Sequence, residues 1–389
     1  MPQLITLLLV STMTVMAGAT ISPALPQIEA FFSEVPNAAF WVKLMLTMPA
    51  LFTALSAPFV GIIIDRFGRK PLLVAATLLY GTAGGSGLVL SSLPGLLVGR
   101  AFLGLAVAAI MTTATALIAD YYLGPKREQV MGLQAAFVGY GGVLFLILGG
   151  ILADLGWRFP FAIYLMAFGL CALVMLFITE PQRPKPDETT PLNSELPVAP
   201  AKLPVRLVGA IYAMMFASMV AFYLVPVQLP FYLKELATVS NTQVGMAIAS
   251  LTLASAIVSM NYRRIKAHLT FGGIMVLVYL FMGAGYGVIA IAQTYSIVLV
   301  GLLLAGIGLG LLMPNMNVWL SATVPAMTRG RVLGGLTTCI FLGQFSSPIV
   351  SQPLTQQMGL ASTYGVFGLG MVALAVGIVV VLRVNLTRG

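Results

Sequence analysis

Residues 61–70 read Gly61-Ile-Ile-Ile-Asp65-Arg66-Phe-Gly68-Arg69-Lys70, four charges and two glycines set between apolar runs near 41–62 and 71–91. Each run is about the 20 residues that an α-helix needs to cross a bilayer. The decapeptide therefore reads as a tight turn between two transmembrane helices. Its arginines and lysine assign it to the cytoplasmic side, where basic loops are retained.

Working outward, further apolar runs fall near 4–25, 94–118, 129–152, 159–179, 205–233, 243–260, 271–292, 296–320, 332–353 and 361–382. The composition supports so many spans: 59% of the 389 residues are hydrophobic and 8% charged, with mean hydropathy +1.00. So few charges cannot cover a water-facing surface, which excludes a soluble globular protein. When the loops are assigned alternately, 16 of the 20 basic residues share the side of Arg66, Arg69 and Lys70. Lys43, Arg158 and Lys234 lie opposite, and Arg100 falls within a span. The net charge of +9 is then a topology signal and not a nucleic-acid footprint. Cys171 and Cys339 sit in apolar runs with no disulfide or metal spacing.

One stretch departs from this pattern. Residues 180–205, EPQRPKPDETTPLNSELPVAPAKLPV, are rich in proline and acids and read as an extended cytoplasmic linker. The linker separates a first half from a second that echoes it at an offset near 202: Gly99 with Gly301, Gly104 with Gly306, Gly132 with Gly334. The expected fold class is an all-α integral membrane protein of 12 transmembrane helices in two six-helix bundles, both termini cytoplasmic. The expected domains are residues 1–180, a linker over 181–204, and residues 205–389.

With these features in place, the chain resembles the major facilitator superfamily along its whole length. Residues 61–70 match the family signature GxxxDRxGRK at Gly61, Asp65, Arg66, Gly68, Arg69 and Lys70. Leu96, Arg100, Gly104 and Ala108 match LxxxRxxxGxxxA, with Leu103 where a glutamine is common. Span 5 keeps Gly149-Gly150 of the pattern GxxxGPxxGG, found in 12-span drug:proton antiporters, but has Phe145-Leu146 in place of Gly-Pro. PALPQI (residues 23–28) and GWRFPF (residues 156–161) resemble the same group.

The resemblance implies a secondary active transporter working by alternating access, with Asp65, Arg69 and Asp120 forming a charge cluster that gates the cytoplasmic side. It implies no cofactor and no catalytic residue. The leading expectation is efflux of a lipophilic organic compound. The alternatives are a carrier, or importer, of a small organic anion and, from a different class, a non-transporting membrane receptor of the same fold. An enzyme is not expected, because no nucleophile–histidine pair or metal cluster lies in the spans.

The residues also shape the expected substrate. No Asp or Glu lies mid-span, although protons remain the candidate coupling ion. An arginine within a span costs about 2.5–3.5 kcal/mol on insertion scales, so Arg100 is expected to face a water-filled cavity. The half-repeat places Leu302 at its equivalent position, so the scaffold itself does not require the charge. The cavity is expected to add Tyr140, Tyr223, Gln228, Asn315, Asn317 and Gln344, and to favour a neutral or anionic small molecule. No nucleic-acid partner is expected. The chain should be a monomer in the bacterial inner, or plasma, membrane.

Overall fold

The computed structural model describes residues 1–181 and 204–386. The linker expected over 181–204 lies, from 182 to 203, outside the described residues. The chain is all-helical among the described residues. The long helices are α1 (Pro2–Ala19), α2 (Ala38–Phe67), α3 (Arg69–Gly85), α4 (Leu93–Tyr121), α5 (Gly124–Leu155), α6 (Met166–Phe177), α7 (Val205–Leu236), α8 (Asn241–Met260), α9 (Phe271–Ala290), α10 (Tyr295–Thr323) and α11 (Ala326–Leu386). Among the described residues, 11 helices are long and apolar enough to cross a membrane.

The boundaries follow from local chemistry. Gly68, at φ 93°, ends α2 in a conformation that other residues resist, and α3 begins at the next residue. Ser240, Thr270 and Thr294 accept the backbone N–H three residues on and so start α8, α9 and α10. The runs expected at 332–353 and 361–382 are joined in the 61-residue α11, which is two helices meeting at a kink. Gly359 (φ 80°, ψ 168°) makes the break.

The buried apolar side chains fall into two clusters. One is drawn from α1–α6 and takes in Val227 of α7; the other is drawn from α7–α11 and takes in Leu146 of α5. The two exceptions mark the seam. Along it the backbones touch through glycine. A Cβ on Gly150 would stand 2.5 Å from the Asn241 carbonyl oxygen of α8, and one on Gly149 2.1 Å from that of Thr20, just past α1. The Gly149-Gly150 pair thus lets α5 pack at backbone distance on both halves at once.

Hydrogen bonds across the seam gather at the end opposite the 61–70 loop. Ser22 Oγ donates to the Pro226 carbonyl at 2.6 Å, Lys43 Nζ to Gln352 Oε1 at 2.7 Å, and Asn241 Nδ2 to the Ala153 carbonyl at 3.0 Å. Helix α2 shows the same gradient, buried at Val42, Met45 and Leu46 and uncovered at Leu55, Phe59 and Ile62.

Candidate functional site: the charged turn and the cavity between the halves

At the turn, Arg69 Nε donates to Asp120 Oδ2 at 2.8 Å, an ion pair linking the start of α3 to the end of α4. The carboxylate at the N-terminus of α3 belongs to Glu180, just beyond α6. Its Oε1 accepts the Arg69 N–H at 2.7 Å and its Oε2 the Lys70 N–H at 2.6 Å. These are two of the N–H groups that a helix leaves without internal partners, and the carboxylate also meets the positive end of the helix dipole. Lys70 Nζ reaches the Met175 carbonyl at 2.9 Å, so the turn is fastened to the α6 end of the bundle twice. Gly68 is needed for space as well as for φ, since a Cβ there would lie 2.8 Å from Glu180 Oε1. Asp65, Arg66 and Gly61 stand on the last turns of α2, with Asp65 and Arg66 exposed.

Between the halves lies a small cavity. It is lined by Thr14, Ala17 and Gly18 of α1, Pro49 and Thr53 of α2, Val107 of α4, Tyr223 of α7 and Gln344 of α11. Helices of both halves therefore meet around it. The hydroxyls of Thr14 and Thr53 are spent on the backbone, donating to the Ser11 carbonyl at 2.8 Å and to the Pro49 carbonyl at 2.8 Å. Tyr223 and Gln344 make no side-chain hydrogen bond to another described residue, which leaves a phenol and an amide for a ligand. No charged side chain lines this cavity among the described residues.

The sequence profile of the Major Facilitator Superfamily matches residues 7–277 and, overlapping, 211–388. The chain belongs to the major facilitator superfamily. Among its relatives, the multi-drug resistance efflux pump PmrA of Streptococcus pneumoniae is 24% identical over 371 residues, covering 90% of this chain and 89% of the pump. The class C tetracycline resistance protein of Escherichia coli is 25% identical over 360 residues, covering 89% and 88%. In fold, the chain is similar to a D-xylose-proton symporter, with TM-score 0.80 at 16% identity over 97% of this chain and 96% of the symporter. As a superfamily member the chain is a multi-pass transporter of the cell membrane, which carries solutes and does not transform them.

Within this superfamily fold, several residues expected around the cavity are placed elsewhere. Arg100 is 2% exposed and lies inside the first half, away from the cavity lining. Its Nη1 donates to Tyr164 Oη at 2.9 Å, and its guanidinium stands 4.8 Å from the Phe161 ring centre and 4.9 Å from that of Tyr164. This aromatic cage, supplied by the segment leading into α6, takes the place of the water that Arg100 was expected to need. Tyr140 lies instead in a groove between α5, α6 and α1, beside Phe137 and Met166. Gln228 is fully buried near the outer end of α7, donating to Ser351 Oγ at 3.0 Å. Asn315 is buried near the opposite end, where it accepts from Tyr262 Oη at 3.1 Å and donates to the Phe271 carbonyl at 3.1 Å. Asn317 is exposed and bonds back to its own helix at Met313. Tyr223 and Gln344 do line the cavity.

Two residues with functional geometry give no sign of it in the sequence. Glu180 reads there only as a charge near an inner helix end, and Asp154 only as one at an outer end. Each caps a helix that begins far along the chain, and spacing alone carries no signal of that.

Proposed function

We propose that this superfamily member is a secondary active transporter that exports a lipophilic organic compound without net charge by alternating access. It has twelve spans in two six-helix bundles, over 1–180 and 205–389, with both termini in the cytoplasm. A helix of 61 residues would be about 90 Å long, roughly three times the hydrocarbon thickness, so the limbs of α11 on either side of Gly359 count as two crossings. The basic bias of the 61–70 loop and its equivalents places that face inside. The conformation is then the inward-open one, with the seam closed at the outer end. The Arg69–Asp120 pair, with Asp65, serves as the inner gate when the halves rock the other way.

The observation that carries the substrate class is the cavity lining: uncharged walls from both halves, with Thr14 and Thr53 bonded to their own helices and one phenol, Tyr223, and one amide, Gln344, left to the space. A charged ligand would lose its hydration and meet no counter-charge there. The enclosed position of Arg100 removes the reason to favour an anion. Efflux is supported by the relatives named as drug and tetracycline resistance proteins. The test is transport by protein-containing liposomes with matched cationic, neutral and anionic analogues of one lipophile. The neutral analogue should be moved fastest. Preference for either permanent ion would overturn the assignment.

A further inference from the structure

Helix α8 starts with two caps of different origin. Ser240, immediately before it, accepts the Gln243 N–H at 3.1 Å and donates its own N–H to Gln243 Oε1 at 2.9 Å. That reciprocal pair serves the third helical residue and leaves the first two N–H groups unsatisfied. Asp154, at the end of α5 in the other half, takes both. Its Oδ1 accepts the Asn241 N–H at 2.7 Å, and its Oδ2 accepts the Thr242 N–H at 3.1 Å and the Thr242 hydroxyl at 2.6 Å. The capping of α8 is complete only while the halves are together at their outer end. Any separation there breaks all three bonds, parting the solvent-exposed Asp154 carboxylate from the N-terminus of α8.

We propose that Asp154 is a positioning residue for the transport cycle, holding the outer side of the cavity shut by capping α8 across the seam. The proposal rests on the alternating-access reading. It adds that the seam is latched through a helix dipole. The bonds that Asp154 accepts come from two backbone N–H groups and the Thr242 hydroxyl, with no ammonium or guanidinium among them. Lys43 and Gln352 join α2 to α11 at the same outer end, at the pair of helices related to α5 and α8 by the half-repeat. That contact is of another kind. Lys43 is 4% exposed and stands 4.3 Å from the Phe231 ring centre, so opening returns a buried ammonium to water and recovers its hydration.

The experiment reads outer opening without a substrate. Val227 lies on α7, is fully buried, and packs into the first-half cluster at the seam. A Val227→Cys reporter in a Cys171→Ala/Cys339→Ala background is exposed to a membrane-impermeant maleimide added from the face opposite the 61–70 loop. Asp154→Ala should raise the labelling rate about tenfold, the effect of losing roughly one charge-assisted hydrogen bond. Asp154→Glu should restore some of the protection. Thr242→Val, which deletes a single side-chain bond and does not endanger folding, should give a smaller rise. Ser240→Ala weakens α8 by its local cap alone and should leave labelling unchanged. Unchanged labelling in Asp154→Ala and Thr242→Val, or an equal rise in Ser240→Ala, overturns the latch. Altered labelling in a protein that moves none of the lipophiles would uphold the latch and reject the proposed function.

Discussion

Helices α3 and α9 hold matching places in the two halves, and Gly68 corresponds to Thr270 at the repeat offset, yet the two helices start by different means. Thr270 caps its own helix, accepting the Gly273 N–H at 3.1 Å. Gly68 has no side chain to offer, and the N–H groups of α3 are met by Glu180, 110 or more positions away. The second-half cap is local, made within four residues of sequence. The first-half cap is tertiary, made by a carboxylate just beyond α6. The charged signature thus marks the half in which the turn is coupled to the rest of the bundle.

A second contrast lies deeper. Each half buries a pair of tyrosines with ring centres 5.7 Å apart, Tyr80 with Tyr164 and Tyr286 with Tyr364. All four hydroxyls donate to carbonyls of the innermost helix: to Met13 and Ala17 on α1, and to Ala221 and Leu224 on α7. Onto this shared frame the first half adds Arg100 and the second Leu302, both buried. The frame bonds to the helix backbones without help from the arginine, whose Nη2 has no hydrogen-bond partner among the described residues.

The largest effect should come from moving the charge between the halves. Leu302→Arg should cost about 3 kcal/mol or more, since Ala361 stands three residues before Tyr364 where Phe161 stands three before Tyr164. Little folded protein should be recovered from membranes, as read by size-exclusion profiles in detergent. A normal yield would mean that the two frames are interchangeable. Next, Glu180→Ala should lower stability by about 1–2 kcal/mol and Thr270→Ala by about 1 kcal/mol or less. Thermal unfolding of the purified variants would show the order, and a larger loss for Thr270→Ala would remove the distinction between tertiary and local cap. The smallest effect should come from Arg100→Leu, which makes the first half resemble the second. Replacing a buried ion by a packed apolar side chain is often neutral or stabilising. The melting temperature should hold or rise slightly, and affinity for a transported lipophile should not change. A clear loss of affinity would return Arg100 to the substrate path.

Much of this architecture is legible in the sequence, because continuous apolar runs and basic turns report the bilayer directly. The Arg69–Asp120 pair is legible through the motif. Arg100 shows where the sequence runs short: its depth can be read from the run that contains it, but its surroundings come from Phe161 and Tyr164 on another segment. The polar cavity residues divide for a related reason. Membrane helices are apolar all round, so no amphipathic stripe shows which way a given residue faces. Tyr223 and Gln344 turn to the cavity, whereas Gln228, Asn315 and Asn317 turn to the neighbouring α11, a helix end and the surface. The break in α11 rests on Gly359, which the sequence marks only as the gap between one apolar run and the next.

The backbone contacts of Gly149 and Gly150 make α5 a lever with unequal arms. About 39 Å of helix runs from that contact to the inner end of α5, and about 7 Å to the outer end. A tilt of about 10° about the glycines would swing the inner end by roughly 7 Å while moving the outer end by little more than 1 Å. Under the proposed alternating access the inner mouth would open and close on this fulcrum without unseating Asp154. Opening the outer mouth cannot use the same fulcrum. Under the proposed alternating access it would require the glycine contact to separate and the point of rotation to shift toward the charged turn, which would make the two strokes mechanically different movements.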